Sequence, residues 1–518
     1  MNADYHGLAE GVGTALRTRL IAFFVVCAVV FPIVLGLGMN KGVSHDEHQH
    51  VAAGALVARE GLLPYRDFPH FHTPYLAFLY ALLFRVSDHL LVMARLVSVV
   101  SATAILGILG SIAYCLFRDR GKRFAVLVCT GSVLLALTTT LFGQNTGLAW
   151  NHEPSLLLAL LAFTAHVAGL RSSRLGWFIG SGVLLGLAIG TRITCAPLVA
   201  PFGLALLLYP VPGWRWDRVV AFAGGLLLGL AGLLYFFAIA PEQTFFGNFD
   251  FARANIDYRL DAGDPRTMTV LKKLRFFFKE IIRPDAALFV VGIVPAMAAW
   301  LVNRGTGRRL PSELRCILLL LPFVLIGSLA PSPLQDQYFY PLVPFLLLAG
   351  LYAFASIPQE SVWSRRILIT CAGAVLLSTA LGVRAYESLP EILDVKEWRG
   401  VRLHRRMASI CSNIPAGRVL TLAPIYPLEA GLSIYPSLVT GPFAWRISPY
   451  LEPAKAVRLR IISPTTLESA LQAEPPIGVF VGFEKAGEEP FLEYARRRGF
   501  ELQQPWADER SLWIDRRR

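Results

Sequence analysis

Apolar residues gather along this chain in long runs, separated by short polar loops. Eleven runs, at roughly 21–38, 91–117, 124–142, 154–170, 175–190, 193–209, 218–239, 285–302, 316–330, 338–355 and 367–384, approach the twenty residues that cross a hydrocarbon core. They predict a mostly α-helical, polytopic membrane bundle of about eleven spans. A twelfth apolar stretch, "PYLAFLYALLF" at 74–84, is too short to cross and is expected to lie at the membrane interface. The first run follows Arg17 and Arg19 and is not closed by an A-x-A cleavage site, so it reads as an uncleaved signal anchor. From residue 385 the pattern changes. Strand-like "RVLTLAPI" (418–425) and "PIGVFVGF" (476–483), helix-like "EEPFLEYARRRGF" (488–500) and "SLWID" (511–515) predict a small α/β domain over 385–518, following a membrane module over 1–384. That segment is long enough for a core of its own.

Composition supports the membrane assignment. The 518 residues are 54% hydrophobic and 16% charged, with mean hydropathy +0.52, whereas soluble domains carry about 25% charged residues. The net charge of +13 would suit a nucleic-acid partner, but the cations sit in short loops between apolar runs. With the N-terminus inside, the loops at 118–123, 171–174, 214–218, 303–309 and 364–366 face the cytoplasm, and every one is basic. The opposite loops, and the 385–518 segment, then face outward. The seven cysteines show no CxxC or Cys/His ligand spacing and read as small apolar packing residues.

Unusual polar clusters fall on the outward side. Residues 44–75, from "SHDEHQH" (44–50) through "LLPYRDFPHFHTPY", hold five His and four acids. Asn151-His152-Glu153 precedes one span, Thr191-Arg192 lies between two, and Gln335-Asp336-Gln337-Tyr338 opens another. The 248–285 loop carries Arg253, Arg259, Lys272, Lys273 and Arg275. A lone acid in a loop is usually just solvated. Here carboxylates and cations from separate loops line one membrane face. Carboxylates suit general-base work on a hydroxyl, and cations suit a phosphate leaving group.

The stretch "DEHQHVAAGALVAREGLLPYRDFPHFHTPYLAFLY" resembles the first external loop of the dolichyl-phosphate-mannose protein mannosyltransferase-like superfamily, which includes the aminoarabinose lipid A transferases. "NHEPSLLLALLAF" (151–163), "GLAIGTRITCAPLVAP" (186–201) and "QYFYPLVPFLLL" (337–348) resemble later motifs, in order, over roughly residues 20–355. The resemblance implies a GT-C fold and a polyprenyl-phosphate-sugar-dependent, inverting glycosyltransferase with Asp46 as general base. Its catalytic acids would be Asp46, Glu47 and Glu153. Donor and acceptor contacts would come from His72 (where relatives often carry Lys), Arg66, Asp67, Arg192, Tyr338, Arg253 and Arg259. Expected partners are a polyprenyl-phosphate sugar, an acceptor that is a lipid, glycan or protein, and membrane lipids. The expected location is the outer face of a bacterial inner membrane.

Three alternatives stand beside this reading. No cofactor is demanded, but His45, His48 and His50 are candidate ligands for a divalent metal, imidazole being a proper ligand for zinc or manganese. A lipid-linked glycan ligase would work on the same carrier at the same face. A transporter would instead place polar groups at the midplane, where only Arg95 and Arg192 are ambiguous.

Overall fold

A computed structural model describes residues 3–209, 215–263, 269–412, 414–484, 487–505 and 510–515; Trp214 of the third basic loop lies outside the described residues. Each of the eleven apolar runs is helical. Among the described residues, eight helices are long and apolar enough to cross a membrane, and the apolar helices Lys122–Thr138, Leu175–Thr191 and Ile193–Leu208 supply the other three runs. The first, α1 (Ala3–Asn40), extends well before its apolar part, which begins at Leu16.

Between α1 and the span α4 (Leu90–Phe117) lie two helices that do not cross. In α2 (His45–Glu60), the Glu47 carboxylate reaches back to the Ser44 N–H at 2.8 Å, half of a capping box, and Gly61 ends the helix with φ +67°. The 10-residue α3 (Tyr75–Phe84) spans only about 15 Å. It is fixed by Tyr75, whose hydroxyl donates to the Gly229 carbonyl at 2.8 Å and accepts from the Leu233 N–H at 3.1 Å. One face of α3 packs Leu76, Ala77, Tyr80 and Phe84 against Val51, Ala52, Ala55 and Leu56 of α2. The segment between α1 and α4 is therefore a packed helical pair.

Bundle packing relies on close backbone approach. Helices Leu175–Thr191 and Arg215–Ile239 meet on Gly182 and Gly186 against Gly225 and Gly229, and a Cβ at Gly186 would lie 2.6 Å from the Leu226 carbonyl. Small residues at four-residue spacing serve helix association where lipid offers no hydrophobic drive.

The C-terminal segment forms a five-stranded mixed sheet in the order β2-β1-β3-β5-β4. The strands are β1 (Arg418–Thr421), β2 (Ser433–Ile434), β3 (Gly478–Val481), β4 (Glu501–Pro505) and β5 (Ser511–Ile514). β1 runs parallel to β2 and β3, while β5 pairs antiparallel with β3 and β4. The 418–425 strand stops early because Pro424 leads the chain into the short helix Ile425–Glu429. Helix Glu489–Arg497 packs Phe491, Tyr494 and Ala495 with Val479 and Val481 of β3.

Candidate active site

Asp46 sits one residue into α2, half-buried at the mouth of the bundle. Gln337 Nε2 donates to its Oδ2 at 3.4 Å, a long bond across the entrance to the span that begins at Asp336. Burial pushes the Asp46 carboxyl up from its ordinary value, and the charges of His45, Arg192 and Arg259 pull the other way. Such a carboxylate is a stronger base than a solvated one.

Arg192 closes the opposite wall. Its chain position, between helices Leu175–Thr191 and Ile193–Leu208, brings the guanidinium into the bundle mouth. Its Nε donates to Thr194 Oγ1 at 2.7 Å and its Nη1 to Asn151 Oδ1 at 3.2 Å. The guanidinium lies 5.5 Å from the centroid of the Tyr338 ring, and Tyr338 stacks on His152 with centroids 6.4 Å apart. Asp46, Gln337, Tyr338, Arg192, Asn151 and His152 thus converge from four separate chain segments. His152 enters as an aromatic wall that the motif reading passed over, although "NHEP" contained it.

Glu153, the third expected acid, is completely buried beside this group, and only the backbone N–H groups of Gly147 and of Glu153 itself approach its carboxyl oxygens, none at full hydrogen-bond geometry. Lys41 is near enough for its charge to act on Glu153. The Lys41 ammonium donates to the carbonyls of Gly143, Gln144 and Thr146, each at 2.8 Å, and burial pushes its pKa down to about 8 despite the pull of Glu153. A buried carboxyl group without a full-geometry partner is costly, so a site that keeps one is a candidate for ligand contact.

Several expected residues are placed elsewhere. Glu47 does not face the site. Completely buried, it accepts from Arg95 Nε and Nη2, both at 2.8 Å, from the Ala149 N–H at 2.8 Å and from the Ser44 N–H. Four donors saturate the carboxylate, which is a structural bolt. Arg66 and Asp67 pair with each other at 2.7 Å, and Asp67 also takes the Leu63 N–H at 2.8 Å, so the two build the 63–67 turn. Arg253 is exposed on the Phe251–Asp261 helix, while Arg259 on the same helix is half-buried with its field on Asp46.

His72 lies against His50 with ring centroids 4.5 Å apart and planes tilted by 32°, and His70 lies beyond it. Burial, with His70 and Arg192 adding, pushes the His72 pKa down to about 3. The expectation of a cationic phosphate contact is corrected accordingly: the imidazole is neutral in this pocket. The proposed metal set also fails. His45 pairs with Glu484 at 3.0 Å, His48 Nδ1 accepts from the Ile425 N–H at 3.4 Å, and His50 faces His72. The three rings point to three different partners, and the described residues contain no cluster of three His, Cys, Asp or Glu that could hold a metal.

Glu484, which also pairs with Arg446, ties the C-terminal segment to the first turn of α2. Glu484 raises the His45 pKa, Arg446 opposes it, and Asp46 adds to it. A raised imidazole pKa gives stability that is full below about 6.5, the unfolded value, and is lost as pH rises through the folded value. Wild type should therefore lose part of its thermal stability on going from about pH 6 to 8, and His45→Gln should not show that part. Melting temperatures of both proteins across this window decide it; parallel curves would remove the pair as a pH-dependent tie.

Residues 71–237 match the family model for dolichyl-phosphate-mannose-protein mannosyltransferase. No curated protein is significantly similar in sequence. Among solved structures, ArnT from Cupriavidus metallidurans bound to undecaprenyl phosphate superposes with TM-score 0.60 at 14% identity, over 95% of this chain and 97% of ArnT. The same protein in the apo state gives TM-score 0.55 at 13% identity, over 98% of each chain. At such identity the likeness concerns the fold. Residues 71–237 therefore resemble that family's model, and nearly the whole chain shares the fold of ArnT.

Proposed function

We propose that the protein transfers a monosaccharide from a polyprenyl-phosphate carrier to an acceptor hydroxyl, at the outer face of a bacterial inner membrane. The observation that carries this is the half-buried, base-strengthened Asp46 carboxylate at the bundle mouth, facing Arg192 and Arg259. The Asp46 carboxylate takes the proton of the acceptor hydroxyl as that oxygen bonds to the anomeric carbon. The bond from that carbon to the phosphate oxygen breaks, and polyprenyl phosphate leaves as an anion. A single displacement of this kind inverts the anomeric centre. Arg192 and Arg259 stabilise the developing phosphate charge, which is the usual work of preorganised cations. The paired rings of Tyr338 and His152 line the pocket beside Arg192 as an aromatic wall for the sugar. Glu153 is assigned a contact to donor or acceptor, and residues 385–518 an outward domain that closes over α2.

Support for the carrier comes from the fold shared with ArnT and from its bound undecaprenyl phosphate. The direct test is purified protein incubated with polyprenyl-phosphate sugars and a membrane-lipid extract of the source cells, products being read by mass spectrometry. A sugar-bearing product with the carrier released is expected. Sugar movement into sealed vesicles without transfer would favour a transporter instead.

The orientation is tested separately. Alkaline phosphatase fused after residue 518 should be active, and unexported green fluorescent protein fused there should be dark. The reverse pattern would invert the assignment of the site to the outer face.

A further inference from the structure

A second pocket, of about 480 Å³, lies beside the segment linking α1 to α2 and shares no lining residue with the Asp46 cluster. Its walls are Gly42 and its neighbour from that segment, the Arg399–Cys411 helix, Tyr426, and Arg510 just before β5. Four of its eight lining residues are arginines, Arg399, Arg402, Arg406 and Arg510, and none is acidic. The first three are spaced i, i+3, i+7 and therefore share one helix face. All three are exposed, and Arg402 is paired with Glu397 at 3.2 Å, outside the lining. Like charges at such spacing repel, at a cost of a few tenths of a kcal/mol for each pair. An array with that cost is expected where an anion offsets it.

The pocket is also preorganised. Arg510 Nη1 donates to the Tyr426 hydroxyl at 3.1 Å, and its guanidinium lies 5.6 Å from the Tyr426 ring and 5.0 Å from the Phe483 ring. The helix face is pinned to the bundle. His404 pairs at 2.8 Å with Glu429, whose other oxygen takes the Leu91 N–H at the start of α4 at 2.7 Å. Gly400 packs against Val92 of α4. The arginines therefore stand level with the ends of two membrane spans, where phospholipid head groups lie.

We propose that this pocket is a phosphate-binding site, taking the phosphomonoester or phosphodiester group of a lipid head group or of a soluble phosphorylated ligand. Planar guanidinium groups bind phosphate bidentately, and several of them converge here on one volume. Gly42 is four residues from Asp46, so the two Cα atoms are at most about 14 Å apart. A ligand held here by its phosphate has its next few groups within reach of the catalytic loop.

The test measures binding and needs no sugar transfer, so it stands or falls independently of the proposed reaction. Full-length protein in a zwitterionic detergent is titrated with phosphatidylglycerol, with phosphatidylcholine, and with inorganic pyrophosphate, binding being read by native mass spectrometry and by the rise in melting temperature. Arg399→Gln/Arg406→Gln should weaken phosphate-dependent binding by at least about 10-fold, the scale of one charged hydrogen bond. Arg496→Gln/Arg497→Gln, with the same charge change on another helix, should leave it unaltered. Arg402→Gln puts the same question if the first pair does not fold. Binding of phosphatidylglycerol without pyrophosphate identifies a head-group site, and binding of both identifies a site open to soluble phosphate. Equal binding by wild type and the pocket variants, or binding of neither anionic probe, overturns the proposal.

Discussion

Asp46→Asn should lower sugar transfer by about 10²–10⁴-fold, the usual contribution of a positioned general base, while leaving the protein folded and able to bind donor. The amide preserves the shape and can still meet Gln337 across the mouth, where the wild-type oxygen accepts at 3.4 Å. It cannot take a proton from the acceptor. Two readouts separate this role from a structural one. Donor binding, measured without acceptor, should stay near wild type because Arg192, Arg259 and Tyr338 are untouched. The pH profile should also change. Burial raises the Asp46 pKa, so wild-type activity should fall with acid at a pH above the ordinary aspartate value of about 3.9. The sign follows from the active form being the carboxylate, which is lost as pH drops through the raised value. The variant's residual rate should lack that acid limb. Turnover within a few-fold of wild type, or an unchanged limb, would take Asp46 out of the proton transfer.

The membrane architecture was legible because its signal is local. A run of about twenty apolar residues has few folded outcomes, and each of the eleven runs is a helix. The short helix within 74–84 was legible for the converse reason, its length. The strands were partly so. β1 and β3 carry the apolar runs of a covered sheet, but β2 has two residues and β4 reads "ELQQP", without apolar alternation. Side-chain roles were harder to see, because neighbours in sequence diverge on a helix. Asp46 and Glu47 look like a catalytic pair, yet consecutive helical positions are about 100° apart. One faces Gln337 and the other Arg95, a partner 48 residues away. His45, His48 and His50 are separated in the same way, and their partners Glu484, Ile425 and His72 come from distant segments. His72 was read as a cation from its loop position, but the structure surrounds it with imidazole and Arg192 and makes it neutral. Asp46 and Arg192, which come from separate motifs, lie close enough in the fold for the Arg192 charge to act on the Asp46 carboxyl.

Arg95→Met should be the most damaging single change to the fold, with an expected loss of about 3–5 kcal/mol, the range for removing one partner of a buried ion pair. Arg95 and Glu47 are both completely buried and meet at 2.8 Å through two parallel N–H···O bonds. The remaining arginine donors are used as well. Nη1 donates to the carbonyls of Gly38 at 3.0 Å and Lys41 at 2.7 Å, and Nη2 to Gly42 at 2.7 Å. One guanidinium thus closes the C-terminal end of α1, anchors the first turn of α2, and does so from inside α4. Removing it strands a buried carboxylate together with three carbonyls. Glu47→Leu should cost less than Arg95→Met, because the carbonyls would still hold the guanidinium. Combining the two should recover only part of the loss: replacing a buried ion pair by apolar groups is often nearly neutral, but here the α1 carbonyls remain without donors. Melting temperatures of the two single variants and the double variant in detergent form the decisive cycle. Full recovery in the double variant would mean that Arg95 serves Glu47 alone, and a mild effect of Arg95→Met would mean that water replaces it at the bundle mouth. The expected ordering, with the double variant between the two singles, makes this arginine the element that fixes the first turn of α2, and with it Asp46, to α1 and α4.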